Sequence, residues 1–246
     1  MAHLYLNEQL TDVASGSVVS ILGEEARHAV AVSRIRVGET LSIGNGRGLV
    51  VAGAVVEAAA ARLSIEVAGI VRTPARAPKV TLVQALAKGG RDEMAVQAAT
   101  ELGVDGVIPW ASQRSIVRWD GPKALRGRQR WATIVREATK QSLRAWIPSV
   151  SGQHTTSELA RCAGSVRMLV LEPTASDSLT GIDLTAQDDE RDLMLVVGPE
   201  GGVSPAELDI LVGAGAHAVR LGETVLRTST AGPAAIAVLN GALGRW

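Results

Sequence analysis

Leu193-Met-Leu-Val-Val197 runs into Gly198-Pro-Glu-Gly-Gly-Val203 and then into Ser204-Pro-Ala-Glu207, and this stretch decides the fold class. The first five residues form a continuous apolar run, which is typical of a strand buried on both faces. The last four have the spacing of a capping box, with proline at the first helical position. A buried strand, a glycine-rich loop and a helix N-terminus therefore follow one another.

The glycine-rich loop leaves two interpretations open. Without Cβ atoms, its backbone N–H and C=O groups can come close to a ligand. It matches neither the phosphate-binding pattern ending in Gly-Lys-Ser/Thr nor the dinucleotide pattern Gly-x-Gly-x-x-Gly. On spacing alone, a ligand-binding loop and a tight structural connection are about equally good interpretations.

Strand-like and helix-like segments alternate on both sides of this stretch, from residue 79 to the end. This alternation predicts an α/β domain with a mostly parallel sheet covered on both faces. The helix predicted at Asp92–Leu102 is closed by Gly103. The other predicted strands are Lys79–Ala85, Val107–Pro109, Val166–Leu171 and His217–Leu221.

Residues 1–72 show a different pattern, and 246 residues are enough for two domains. Short β-rich runs with turn signals predict a small β-barrel with one helix-like insert at Glu24–Ser33. The proline-rich stretch 73–78 is the expected linker to a C-terminal domain at 79–246. The predicted strands are Val18–Leu22, Thr40–Ile43, Leu49–Val56 and Arg62–Ile70.

A zero net charge conceals a strong asymmetry along the chain. Residues 1–72, 73–147 and 148–246 carry charges of −1, +7 and −6, which sum to the net charge of zero. A helical projection of the basic middle part places the apolar Trp131, Ile134, Val135, Ala138 and Ala145 opposite the basic Arg126, Arg136, Lys140 and Arg144. An ordinary solvated face is one interpretation, but the scarcity of acidic residues favours a phosphate-contacting surface.

Several classes of protein are disfavoured by composition. The single Cys162 cannot form an intramolecular disulfide, and no leader-like segment opens the sequence, so we expect a cytoplasmic protein. Metal-ligand spacings and apolar runs of about 20 residues are both missing from the sequence, so neither a metal site nor a membrane span is expected.

Leu221–Ala231 is a second strand end that runs into a helix, and it includes Arg227. From Thr230 to Gly244 the sequence carries no charge, which predicts a helix buried in a core or against a partner subunit. Either a surface or capping role or a place beside a site would suit Arg227.

These segments together resemble the RsmE family. The motifs are Gly198–Glu207, Leu221–Gly222 with Leu226–Ala231, and Ala99–Val104, and the segments Arg136–Pro148 and Leu171–Pro173 also fit. The resemblance covers the whole chain. Ser229 is a departure, because the family usually has Glu at this position.

The resemblance implies a SPOUT-class enzyme that uses S-adenosylmethionine to methylate N3 of a uridine in 16S ribosomal RNA of the small subunit. It also implies a PUA-like barrel, a trefoil knot that holds the cofactor, and a homodimer. The implied cofactor-binding residues are Leu171, Glu172, Gly198, Pro199, Glu200, Gly201, Gly202, Leu221, Gly222, Val225, Leu226, Thr228 and Ala231. The RNA-binding candidates are Arg34, Arg36, Lys88, Arg91, Arg136, Lys140, Gln141 and Arg144.

Two residues are candidates for handling the proton on uracil N3. Glu200 could accept it, or Arg227 could stabilise negative charge that develops on the uracil oxygens. We favour Arg227, because a carboxylate beside a cationic sulfonium is held ionised. The alternatives are a related enzyme acting on another ribosomal or transfer RNA position, and an RNA-binding or ribosome assembly factor without catalysis.

Overall fold

A computed structural model of the chain describes residues 4–184 and 189–246. Contacts divide the chain into two compact units, Met1–Ala75 with Thr139–Ile147 and Arg76–Ala138 with Pro148–Trp246. Residues 1–3 of the predicted barrel domain and Asp188 of the acidic third lie outside the described residues. Residues 139–147, which the sequence division places in the C-terminal domain, group with the first unit.

The first unit is built on a five-stranded sheet in the order β1-β3-β4-β5-β2. Neighbouring strands are antiparallel except for β1 and β3, which are parallel. The strands are β1 (Leu4–Leu6), β2 (Val18–Leu22), β3 (Thr40–Gly44), β4 (Leu49–Ala59) and β5 (Arg62–Arg72). The predicted helical insert is α1 (Gly23–Arg27) followed by a π-helical turn (His28–Val32). The four predicted strands are confirmed, and β1 is additional.

A long hairpin of β4 and β5 organises this unit. Its register shifts beside Gly53, where a Cβ atom would overlap the Glu66 carbonyl, so only glycine fits. Alternate strand residues such as Ile43 and Ile65 are fully buried and form the core. The sheet order makes β1 and β2 its edges, so the described strands form an open sheet and not the expected closed barrel.

Backbone hydrogen bonds explain why the segment 139–147 belongs to the first unit. The amide of Gly48 donates to the carbonyl of Ala145 at 2.9 Å, and the amide of Ile147 donates to the carbonyl of Gly46 at 3.0 Å. The indole of Trp146 also donates to the carbonyl of Thr73 at 2.8 Å. The segment therefore docks on the turn between β3 and β4.

The second unit contains a six-stranded sheet in the order β11-β9-β10-β6-β7-β8. Every ladder in it is parallel, as predicted. The strands are β6 (Val80–Ala85), β7 (Gly106–Trp110), β8 (Ser149–Val150), β9 (Arg167–Leu171), β10 (Leu193–Val197) and β11 (His217–Val219). The helices are α2 (Arg91–Glu101), α3 (Pro122–Gln141), α4 (Thr156–Cys162), α5 (Pro205–Gly213) and α6 (Thr228–Ala242), and α3 runs past Ala138 into the segment that groups with the first unit. The α/β class is confirmed.

Close packing against the sheet explains the charge-free sequence of α6. A Cβ atom on Gly232 would lie 3.0 Å from Leu82 Cδ1 and 3.4 Å from Val197 Cγ2, so the helix backbone lies directly on β6 and β10. The buried Asn240 donates to the carbonyl of Leu102 at 2.7 Å, at the end of α2. One face of the helix is thus buried against its own unit.

The helix α3 differs from its predicted extent. Trp131, Val135 and Ala138 are buried, which confirms the apolar face. The helix ends at Gln141, however, and Leu143 has a positive φ of 55°. Arg144 and Ala145 therefore lie beyond the helix, and the projection that placed them on its two faces is wrong.

In the part of the chain that the structure describes, none of the helices combines the length and apolarity that a membrane crossing requires. The same residues contain no group of three or more His, Cys, Asp or Glu side chains arranged to hold a metal ion.

Candidate active site

A cavity of about 420 Å³ lies in the second unit, at the carboxyl ends of β9, β10 and β11. These three strands are neighbours in the sheet, so the loops that follow them meet at one edge. The lining residues are Arg91, Leu171, Glu172, Pro173, Val197, Gly198, Pro199, Glu200, Gly202, Val203, Leu221, Gly222, Thr224, Val225, Leu226, Arg227, Thr228 and Ala231. The cavity combines an apolar wall with four charged side chains and many backbone polar groups.

The glycine-rich loop after β10 turns back sharply before α5 begins. A Cβ atom on Gly198 would lie 3.0 Å from Val203 Cγ2 and 3.1 Å from the Val203 amide nitrogen. Gly202 has a φ of +73°, in the left-handed region that glycine adopts without strain. The predicted capping box at the start of α5 is confirmed, with Ser204 as the N-cap residue and Glu207 at the third helical position.

A buried polar chain ties this loop to α6. Thr228 Oγ1 accepts a hydrogen bond from Gln84 Nε2 at 2.9 Å and donates one to the carbonyl of Gly198 at 2.7 Å. Gln84 is fully buried at the end of β6. The N-terminus of α6 and the loop after β10 are therefore fixed to the same buried side chain.

Glu200, at the tip of the loop, is held from a different direction. Its Oε1 accepts from Arg91 Nη1 at 2.9 Å and from the Lys88 amide at 3.3 Å. Both side chains of the Arg91–Glu200 ion pair are partly exposed. The two bonds hold this carboxylate at the N-terminal end of α2.

Glu207 anchors the far side of the loop through a buried carboxylate. Its Oε1 accepts from the Gln113 amide at 2.7 Å and the Thr156 hydroxyl at 2.9 Å. Its Oε2 accepts from the Ser204 hydroxyl at 3.0 Å and the Ser112 hydroxyl at 3.2 Å. Burial alone would raise the pKa of this carboxyl, but hydrogen bonding outweighs burial and lowers its pKa below the ordinary value.

Arg227 is the other cation of the cavity wall. It is exposed and precedes the first residue of α6, as its N-cap residue. Among the described residues, no hydrogen bond or ion pair involves its guanidinium. The group is thus available to a ligand, unlike that of Arg91.

The structure brings the sequence-predicted cofactor residues together. All of them line the cavity except Gly201, which lies in the same loop, and both catalytic candidates, Glu200 and Arg227, line it as well. This placement is geometric, and their roles remain predictions.

The RNA-binding candidates are scattered over both units. In the first unit Arg34, Arg36 and Gln141 are exposed and Arg144 is half-buried; in the second, Lys88 is exposed and Arg91 and Arg136 are half-buried. Lys140 is only 5% exposed, and its ammonium pairs with Glu25 at 3.3 Å in the first unit. Lys140 therefore does not present its charge to solvent, contrary to its predicted place on a cationic surface.

Sequence reasoning missed several residues of the site. Pro173, Val197, Val203 and Thr224 line the cavity but were not among the expected cofactor residues. Pro173 and Val203 lie inside the quoted motif segments, and Val197 and Thr224 lie beside motif residues, so their positions could have suggested them. Gln84 bonds Thr228 of α6, 144 residues away in the sequence, and Arg114 bonds Gly201 of the loop, 87 residues away. A polar residue within the apolar run of β6 was the one available signal for Gln84.

The chain is similar in sequence to known RNA methyltransferases. The family model of an RNA methyltransferase domain matches residues 75–240. A relative from Mycobacterium tuberculosis, named ribosomal RNA small subunit methyltransferase E, is 41% identical over all of this chain and 94% of its own length. A Bacillus subtilis relative of the same name is 28% identical over 94% of this chain and 93% of its own length.

Solved structures are similar over both units. The Neisseria gonorrhoeae ribosomal RNA small subunit methyltransferase E, bound to S-adenosyl methionine, superposes with a TM-score of 0.86 at 28% identity and covers 98% of each chain. A Legionella pneumophila protein crystallised with the same cofactor has a TM-score of 0.84, with the same identity and coverage.

Fold, site and family model together define this chain as an RNA methyltransferase. More narrowly, the chain belongs to the ribosomal RNA small subunit methyltransferase E family, the RsmE family.

Proposed function

We propose that this chain methylates N3 of a specific uridine in 16S ribosomal RNA, with S-adenosylmethionine as the methyl donor. The observation that carries the proposal is the cavity at the ends of β9, β10 and β11, where twelve of the thirteen expected cofactor residues meet. Relatives that are named for small subunit ribosomal RNA methylation match the whole chain, and a similar structure of that name contains the cofactor.

The cavity residues fit S-adenosylmethionine. A volume of about 420 Å³ lies within the range of roughly 300–1,000 Å³ that is usual for small-molecule sites. Leu171, Leu221 and Leu226 offer apolar surface for the adenine, and the loop backbone offers hydrogen bonds. Glu172, which forms no ion pair among the described residues, supplies negative charge that complements a sulfonium. When bound, this cofactor supplies an activated methyl group.

The protein contributes alignment and charge to the reaction. A rigid loop and a fixed α6 N-terminus hold two reactants in line, which removes much of the entropic part of the barrier. Arg227, whose guanidinium is available, stabilises negative charge on the uracil oxygens as the N3 proton leaves. The ties of Glu200 to Arg91 and Lys88 favour Arg227 over Glu200 as the acting group.

The proposal also covers the first unit, the path of the last segment and the oligomeric state. The sheet of the first unit serves as a PUA-like RNA-binding module, and Arg34 and Arg36 are among its exposed cations. A knotted path for the last segment belongs to the same proposal, because the resemblance to the RsmE family implies it. The enzyme acts as a homodimer in the cytoplasm, where ribosomal RNA is found.

A methyl-transfer assay with mapping of the product tests the function. The full chain is incubated with labelled cofactor and with small subunit ribosomal RNA, small subunits or transfer RNA, and the modified base is located. We expect N3-methyluridine at one position of 16S ribosomal RNA. Methylation at another position would indicate a related enzyme, whereas no cofactor binding in calorimetry would indicate an RNA-binding or assembly factor.

A further inference from the structure

A segment outside the cavity is tied to the glycine-rich loop. Residues 111–121 follow β7, and Arg114 lies within them. Arg114 Nη1 donates to the carbonyl of Gly201 at 2.9 Å and approaches the carbonyl of Val203 at 3.4 Å. Arg114 does not itself line the cavity. Its contact with a ligand there is therefore indirect, through the loop.

The stem of Arg114 packs on the same part of the loop. A Cβ atom on Gly201 would lie 3.4 Å from Arg114 Cβ and 3.6 Å from Arg114 Cδ, which is ordinary van der Waals contact. The guanidinium and the aliphatic stem thus hold the peptide that precedes Gly202. One side chain fixes the loop both by hydrogen bonding and by packing.

The segment that carries Arg114 is itself braced. Arg118 donates to the carbonyls of Ser112 and Gln113 at 2.7 and 2.9 Å. The Gln113 amide and the Ser112 hydroxyl bond the buried carboxylate of Glu207 at the start of α5. Arg114 therefore projects from a support that is anchored to the same loop–helix junction.

The loop needs such a support because its backbone is intrinsically free. Three glycines in five residues allow many φ/ψ combinations, and Gly202 adopts one in the left-handed region. A guanidinium offers several donors in a fixed plane, and a charged donor makes a stronger bond to a carbonyl than a neutral one does. Fixing the carbonyls on both sides of Gly202 determines which backbone groups face the cavity.

We propose that Arg114 is a positioning residue that holds the glycine-rich loop in its cofactor-binding conformation. The inference rests on the proposed function, which assigns the cavity to S-adenosylmethionine. A loop held in the bound conformation before binding loses less conformational entropy on binding. Loss of Arg114 therefore weakens binding of the cofactor and leaves the affinity for RNA unchanged.

Calorimetry with S-adenosylmethionine on the full chain tests the inference, with R114A, R114K and R161A compared with the wild type. Arg161 on α4 is exposed, and its nearest carboxylate is 3.9 Å away, so R161A is the matched control. We expect R114A to raise the cofactor Kd by roughly tenfold or more, as for loss of a charged hydrogen bond. R114K, which keeps one charged donor group, recovers part of this loss. R114Q keeps much of the stem and replaces R114A if that variant does not fold.

The outcomes are separable. Wild-type protein that does not bind the cofactor contradicts the proposed function itself. A wild-type protein that binds it, with an unchanged Kd in R114A, overturns the positioning role alone. A normal cofactor Kd together with a raised Kd for a small subunit ribosomal RNA fragment also overturns it, because Arg114 would then be a phosphate contact.

Discussion

At the scale of single residues, the two guanidinium groups of the cavity differ in their freedom. Arg91 is paired with Glu200, whereas Arg227 has no partner among the described residues. Replacing Arg227 with Ala removes the cation that we assign to the uracil oxygens. We expect the rate of methyl transfer to fall by at least about a hundredfold, the usual effect of losing one group that stabilises such charge.

The same variant separates catalysis from cofactor binding. The Kd for S-adenosylmethionine should stay within about tenfold of wild type, because the loop backbone and the apolar wall are retained. Glu223 lies in the same loop as Arg227, is exposed and does not line the cavity. Glu223→Gln is therefore the control variant and should be fully active. Unchanged turnover in R227A would return Glu200 to consideration as the group that accepts the proton.

The contribution of Glu207 to the free energy of unfolding depends on pH. Its carboxyl has a pKa below the ordinary 4.5, because hydrogen bonds from neighbours such as Gln113 and Thr156 outweigh burial. A group whose pKa is lower in the folded state stabilises that state above pH 4.5, and the contribution is lost as the pH falls through the folded-state pKa. At neutral pH, Glu207→Gln should lower the free energy of unfolding by about 1–3 kcal/mol.

Urea unfolding between pH 7 and pH 3 measures this effect. The difference in the free energy of unfolding between wild type and E207Q should be largest at neutral pH. It should narrow as the pH falls below 4.5, where Glu207 is protonated first in the unfolded chain and then, at lower pH, in the folded one. The exposed Glu223→Gln should follow wild type throughout. A constant difference at all pH values would mean that shape, and not charge, is what Glu207 contributes.

At the scale of elements, α6 combines a tightly packed face with an open one. A Cβ atom on Gly232 would press on Leu82 and Val197, whereas a Cβ atom on Gly241 would meet no atom within 4 Å. Gly232→Leu should therefore destabilise the chain by roughly 1–3 kcal/mol or more through overpacking. Gly241→Leu should stabilise it by about 0.5–1 kcal/mol, because leucine is a much better helix former than glycine.

The pair is compared by thermal unfolding, with the same substitution at two positions of one helix. Opposite shifts of Tm are expected, and both variants have the same composition, so hydropathy alone cannot produce them. A Tm for G232L equal to that of G241L would contradict the packing of α6 on β6 and β10.

Local patterns explain which elements could be predicted. The strand, loop and capping box at 193–207 are defined by residues within a few positions of one another, and the structure confirms all three. The buried state of Lys140 could not be predicted, because its partner Glu25 is 115 residues away. A helical projection describes one helix in isolation, and tertiary contacts decided the environment of this side chain.

The same argument applies to the site. Motifs at the ends of three strands gave most of the cavity wall, since parallel strands bring their carboxyl ends to one edge. Gln84 donates a hydrogen bond to a hydroxyl, and Arg114 donates one to a backbone carbonyl, and both acceptors are far away in the sequence. Because every sequence contains such acceptors, no local pattern marks these two residues. The residues that line the cavity were therefore predictable, whereas those that hold its loop in place were not.

At the scale of the whole molecule, a chain with zero net charge carries +7 in residues 73–147. If this region contacts RNA phosphates, the affinity for a small subunit ribosomal RNA fragment must fall steeply with salt. For single-stranded RNA, the slope of log K against log salt changes by about 0.7 for each phosphate that is neutralised. Binding of S-adenosylmethionine should depend much less on salt and serves as an internal reference.

Removal of a single surface charge shows which residues cause the salt dependence of RNA binding. Arg126 is exposed on α3, and Arg126→Gln should weaken RNA binding and reduce the salt slope by about 0.7. Arg161→Gln removes the same charge from the acidic C-terminal third and should leave the slope unchanged. Equal slopes for both variants and the wild type would exclude Arg126 from the phosphate contacts, and a flat response in the wild type would exclude the basic region as a whole. A reduction confined to R126Q would show that local charge, and not the net charge of the chain, governs its encounter with RNA.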